Sequence, residues 1–289
     1  MAIKGLTTPV FADYTFNGSE VVYQNGFVCG SAIEYGVEVE TSDNNPLYGD
    51  DRIIENDYGT FNTGTLTLNT SDLTQIDSKR LLGLKEVQVQ VGDASVTELV
   101  TDDDAKATPK GFGIIETHQI NDVDKYRAVI LCKVAMGIPA EAATTKGESI
   151  EWQTKEIEGT ISRADQSSGN YKHAWKREAW FDTHDAAMAY LRTVLNALDT
   201  VNATSQAGTD TGETIITITN PGSGSYKYST TGPMPTYQQD LTSWTDLPEG
   251  GEITAANGLT LYLAQVDASK KAIGAGTVTV VANEERGMI

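Results

Sequence analysis

Residues 146–165 read KGESIEWQTKEIEGTISRAD, and which side of this stretch is buried decides what kind of β protein the chain makes. It has no Pro and only two Gly and reads as extended strand, yet it carries four glutamates, Glu148, Glu151, Glu156 and Glu158. Successive side chains of a strand point to opposite faces. Up to Trp152 the apolar residues, Ile150 and Trp152, occupy the even face; from Ile157 on, Ile157 and Ile161 occupy the odd one. The expectation is a long strand whose buried side switches partway along, with acidic side chains on whichever side is left out. A β-bulge in a monomeric sandwich produces the same switch, so a free-standing and an assembling protein both remain open at this point.

Working outward, most of residues 1–180 reads as strand separated by turn chemistry. Val37 and Val39 alternate with Glu38 and Glu40, Leu66 and Leu68 with Thr65 and Thr67, and Val87, Val89 and Val91 with Gln88 and Gln90. KYRAVILCKVAMG (125–137) is apolar on both faces in its middle, as a central strand of a sandwich or barrel is. Two segments break the pattern. In TSDLTQIDSKRLLGLK (70–85), Thr70 or Ser71 is the expected N-cap and Gly83 the expected stop of a short helix. In FDTHDAAMAYLRTVLNALD (181–199), Asp182 or Thr183 caps a helix, and Asp185 suits the positive end of its dipole. Ala187, Tyr190, Leu191, Val194, Leu195 and Leu198 then form one apolar stripe that must lie on a sheet.

Composition changes after Ala197. Residues 199–213, DTVNATSQAGTDTGE, are polar and rich in Gly and Thr, which is linker chemistry. Short alternating strands follow, separated by clusters such as NPGSGS and LPEGGE, a pattern that suggests a small Ig-like β-sandwich. The expected domains are 1–204 and 205–289.

The net charge of −19 over 289 residues is the strongest bulk signal. Through residue 200 there are 17 basic and 31 acidic residues, a net of −14; beyond it, 4 and 9, a net of −5. Such a chain is a poor candidate for gripping nucleic acid, whose phosphates must be neutralised for affinity. It suits a surface that DNA passes without sticking. Cys29 and Cys132 sit in apolar strand-like runs and read as buried, reduced thiols. The N-terminus lacks the apolar core of a signal peptide and no segment approaches a membrane span, so folding in a reducing cytoplasm is expected.

Catalytic chemistry finds little support. His118, His173 and His184 are scattered, none at metal-ligand spacing from another His or Cys, and read as solvated or capping side chains. Asp102, Asp103 and Asp104 lack the spaced ligands of an EF-hand. No nucleophile elbow, P-loop or dinucleotide fingerprint is present. The expectation is a protein that is not an enzyme and needs no cofactor or metal.

One resemblance ties these readings together. YRAVILCKVAMGIPAEAATTKGESIEWQTKEIEGTISR (126–163), followed by Trp180-Phe181-Asp182-Thr183 at the helix entry, resembles the major tail protein, or tail tube protein, of long flexible-tailed bacteriophages. NPLYGDDRIIENDYGTFNTGTLTLNTSDLTQIDSKRLLGLK (45–85) is similar to that family's LYADD-like loop, Gly-Thr-Leu-Thr-Leu strand and Leu-Leu-Gly turn. The likeness runs in order over roughly residues 1–200; the remainder resembles the Ig-like decoration domains that some tail proteins carry. It implies a mainly β fold, a tail-tube-type β-sandwich or barrel flanked by one helix. It further implies hexameric rings that stack into a tube, with the inner strands forming one barrel. The implied partners are further copies of the chain, tape-measure protein, and tail-terminator or tail-tip proteins. DNA passes through unbound, and the implied location is the virion tail, assembled in the host cytoplasm.

On that reading Glu151, Glu156 and Glu158 are candidate lumen groups that repel phosphates. The long segment 43–63, with Pro46, Leu47, Tyr48, Asp50, Asp51, Ile53 and Ile54, is the candidate contact to a neighbouring subunit or ring. A different class remains alongside it: a two-domain β-sandwich that binds carbohydrate or another surface ligand, with Tyr226, Tyr228, Tyr237 and Trp244 as stacking faces.

Overall fold

The computed structural model describes residues 2–92, 94–145 and 154–284, and the chain divides into two units, residues 1–195 and 196–289. The first begins with β1 (Ala2–Phe16), β2 (Val21–Val28) and β3 (Ala32–Thr41), followed by a hairpin of β4 (Asn45–Gly49) and β5 (Arg52–Asp57). Next come β6 (Phe61–Thr70), the short helix α1 (Gln75–Leu82) and a second hairpin of β7 (Lys85–Val91) and β8 (Ala94–Val100). The long strands β9 (Lys110–Ile120) and β10 (Val123–Met136) lead to β11 (Lys155–Ser162), β12 (Lys176–Phe181) and helix α2 (His184–Leu195). The fold is mainly β with one long flanking helix, as the sequence predicts.

The principal sheet runs β2–β1–β9–β10–β11–β6–β3, with β12 also on β10. It forks at β10. One edge of that strand pairs with β9; the other pairs with β12 from Tyr126 to Leu131 and with β11 from Lys133 to Met136. The β11–β6–β3 branch folds over the rest, so Leu66, Leu68, Ile157 and Ile161 share one buried core with Phe11, Phe112, Ile114, Val129 and Leu131. Leu81 and Leu82 of α1 close it. Phe11 and Phe112 meet at 5.0 Å between ring centroids, and Phe61 stacks flat on Trp175 at 4.6 Å.

At one end of this core the two branches are joined by polar groups. Tyr35 of β3 donates its hydroxyl to Glu116 of β9, which also accepts from His118 Nε2 at 2.8 Å and Arg127 Nη1 at 3.1 Å. Arg127 reaches on to Glu178, and His118 lies 4.7 Å from the Trp180 ring. Burial opposes ionisation of Glu116, but the hydrogen bonds from Tyr35 and His118 and the Arg127 charge outweigh it and hold the carboxyl below its ordinary range. His118 is therefore a buried, paired residue rather than a solvated one: β9 alternates, and its even residues, Phe112, Ile114, Glu116 and His118, all face inward.

Helix α2 lies on the outer face of β9 and β10. Thr183 is its N-cap, accepting from the Ala186 N–H at 3.2 Å. Ala187, Leu191 and Leu195 are buried, as their spacing predicts. Gly113 lets the helix come this close, because a Cβ there would sit 2.8 Å from Leu195 Cδ1 and 3.0 Å from Leu191 Cδ2. The helix stops at Leu195 and Asn196 takes a left-handed φ of 48°, so Leu198 lies beyond it and packs on Leu241, Ala264 and Val266 of the second unit. Helix α1 starts later than its sequence suggests. β6 continues through Thr70, which still pairs with Ala32 and Lys155, and the cap is Thr74. Thr74 and Asp77 cap each other, Thr74 Oγ1 donating to the carboxylate at 2.8 Å and accepting from the Asp77 N–H at 3.2 Å.

The second unit is a two-sheet sandwich. Its strands are β13 (Asp199–Thr200), β14 (Ala203–Ala207), β15 (Glu213–Ile218), β16 (Ser225–Ser229), β17 (Thr245–Asp246), β18 (Glu252–Thr254), β19 (Thr260–Val266) and β20 (Ala272–Thr279). A sheet β13–β20–β19–β16–β17 and a sheet β14–β15–β18 enclose Val201, Ile216, Ile253, Leu261, Leu263 and Val280. The stretch 199–213, read as linker from composition, holds two of these strands, and Val201 enters the core. The units accordingly divide ahead of the expected 204/205 boundary. A polar composition hid short strands whose stability comes from pairing, as in the parallel step of β13 on β20.

Two outcomes follow from this packing. Leu195→Ala should lower stability by about 2–5 kcal/mol and Gly113→Ala by about 1–3 kcal/mol through overpacking. Because the same Leu195 methyl crowds the new Cβ, the second loss should shrink in the Leu195→Ala background, as denaturant titration of the double mutant can measure. For Glu116 the carboxyl value is depressed in the folded state, so its contribution is fully present above the unfolded value of about 4.3 and is lost as pH falls through the folded one. Thermal unfolding between pH 7 and pH 3 should show a shallower acid loss for Glu116→Gln than for the unaltered chain.

Candidate functional site

The two branches of the principal sheet have different outer faces. The face of β9 and β10 is covered by α2, whereas the outer face of β3, β6 and β11 is covered by nothing among the described residues. Its composition follows from register. Ile157, Gly159 and Ile161 turn inward, which sends Glu156, Glu158 and Thr160 outward and leaves all three exposed. Directly paired residues share a face. Glu156 pairs with Asn69 and through it with Glu34; Glu158 pairs with Thr67 and Gly36; Thr160 pairs with Thr65 and Glu38. Thr63 and Glu40 form the next row.

The outcome is a strip of three strands bearing Glu34, Glu38, Glu40, Glu156 and Glu158, interleaved with Thr, Asn and Gly, with no Lys or Arg in any of these rows. Glu34 and Glu156 flank β6 at two strand spacings, roughly 10 Å, which is about the screening length at 0.1 M salt. The fields of such neighbours therefore add over the strip. Glu156 and Glu158 are the two sequence candidates that the structure brings together. Glu151 lies outside the described residues, as do Ile150 and Trp152 and with them the expected change of face. Glu34, Glu38 and Glu40 were not singled out from sequence. The alternation of Val37 and Val39 with Glu38 and Glu40 put the two glutamates on one strand face, but only the β3–β6–β11 register unites them with Glu156 and Glu158.

Segment 43–63 is a hairpin rather than a loop. Asp50 and Asp51 form its two-residue turn, with φ of 49° and 58°, the left-handed pair of a type I′ connection. Asp is among the few residues that adopt this conformation at low cost. Leu47, Tyr48, Ile53 and Ile54 are 54–65% exposed, Tyr58 beyond the hairpin is 73% exposed, and Pro46 is half-buried. The second hairpin, β7–β8, is similarly bare: all seven residues of β7 are exposed, and the valines whose alternation suggests a buried face are not covered. An isolated two-stranded hairpin is at best marginally stable in water, and these two leave apolar side chains open to solvent.

The aromatic candidates of the second unit are not arranged as an open platform. Tyr226 and Tyr228 are half-buried against the sandwich core, and the Tyr226 hydroxyl accepts from the Gly222 N–H at 2.8 Å. Trp244 packs beside Leu241 and Val266, and its carbonyl accepts from the buried Lys227 ammonium at 2.9 Å. Tyr237 is half-buried, its N–H bonded to Asn196 Oδ1 at 2.7 Å. Elsewhere, no group of three or more His, Cys, Asp or Glu side chains among the described residues is placed to hold a metal ion. Among the described residues no helix is long and apolar enough to cross a membrane. Cys29 and Cys132 are buried and unpaired, and burial pushes their thiols up to about 12 and about 11.

Comparison of the chain with protein-family models and with curated proteins finds no match to either.

Proposed function

We propose that this protein is a structural subunit of a phage-type tail tube, which polymerises through its first unit into stacked rings around an acidic channel for DNA. The carrying observation is the uncovered strip on β3, β6 and β11, with five glutamates and no cation in its paired rows. An ordinary exterior mixes signs; a strip of one sign disfavours a polyanion along its length, since no phosphate charge is neutralised and no counterion is released. Repeated around a ring and along a stack, it would line a conduit in which DNA slides. The ordered resemblance over residues 1–200 leads to the same reading, with tape-measure and terminator or tip proteins as the other partners and the virion as the location. The two bare hairpins supply contact surfaces, and further copies of the chain bury them. The second unit, a separate sandwich, decorates the particle.

Purified full-length protein should form rings or tubes in negative-stain images as concentration rises. Compact single particles at all concentrations would overturn the proposal. The channel assignment is tested separately by DNA release from particles assembled with Glu156→Lys and Glu158→Lys subunits. Slowed or stalled release that recovers as salt is raised is expected, because a basic lining binds phosphates in a salt-dependent way. Normal release from well-formed tubes would place the channel on another face.

A further inference from the structure

We draw no further inference here: the strongest candidate, the uncovered apolar side chains of the β4–β5 and β7–β8 hairpins in the first unit, carries none because nothing in the structure shows what covers either hairpin.

Discussion

The fold depends on one strand keeping one partner and exchanging the other. β10 holds β9 along one edge, while its second edge passes from β12 to β11 around Cys132, whose N–H is satisfied outside both ladders by the Trp175 carbonyl at 2.9 Å. A strand apolar on both faces can do this because neither face loses burial when the partner changes. Ala128 and Ile130 face α2, Val129 and Leu131 face the inner core, and all four are buried. Once the edge is shared, β11, β6 and β3 must leave the plane of β12 and fold back, which creates the sandwich. The Glu116 network then fastens the far end of the fold, where Tyr35 crosses from one branch to the other. A buried carboxylate with three donors is costly to leave unmatched, so this contact selects one relative placement of the branches where a wholly apolar seam would permit several.

The sequence made the inward residues plain and the outward ones less so. Periodicity identified Leu66 and Leu68, the two-faced core strand, the α2 stripe and the inward Ile157 and Ile161, because a local pattern of period two or 3.6 reports burial directly. It failed where burial is absent or comes from afar. Val87, Val89 and Val91 alternate like a core strand and are exposed. Residues 199–207 look like linker and are strands. His118 looked isolated because only Glu116, two residues before it on β9, is a local partner, while Trp180 beside its ring and Arg127 and Tyr35 on the shared carboxylate come from other strands. The acidic strip was half visible for a related reason: Glu156 and Glu158 could be read from one strand, while Glu34, Glu38 and Glu40 join them only through pairing.

What the sequence leaves uncovered also needs a cause. A row of like charges across neighbouring strands is mildly destabilising, and an apolar hairpin open to water invites aggregation. Stability of a solitary chain would favour a Lys within the rows of β3, β6 and β11, and polar side chains in place of Val89 and Ile54. Both departures occur in the first unit, and they differ in kind. The strip is polar and its charges are of one sign. The hairpins leave apolar side chains open to water, Leu47, Tyr48, Ile53 and Ile54 on one and Val87, Val89, Val91 and Val96 on the other.

These two departures constrain each other. A polyanion conduit requires the strip to face an enclosed space, and enclosure by a chain of this size requires many copies. Many copies require contacts, and a net charge of −19 per chain makes every approach of two copies repulsive at long range. Binding must then come from short-range apolar burial concentrated in small elements that reach past the charged bulk, where screening within about 8–10 Å leaves the long-range repulsion weak. The exposed hairpins meet that requirement. On the proposed reading, removing their apolar residues would improve the solitary chain at the expense of assembly, while exchanging the glutamates for lysines would turn the strip into a surface that holds a polyanion.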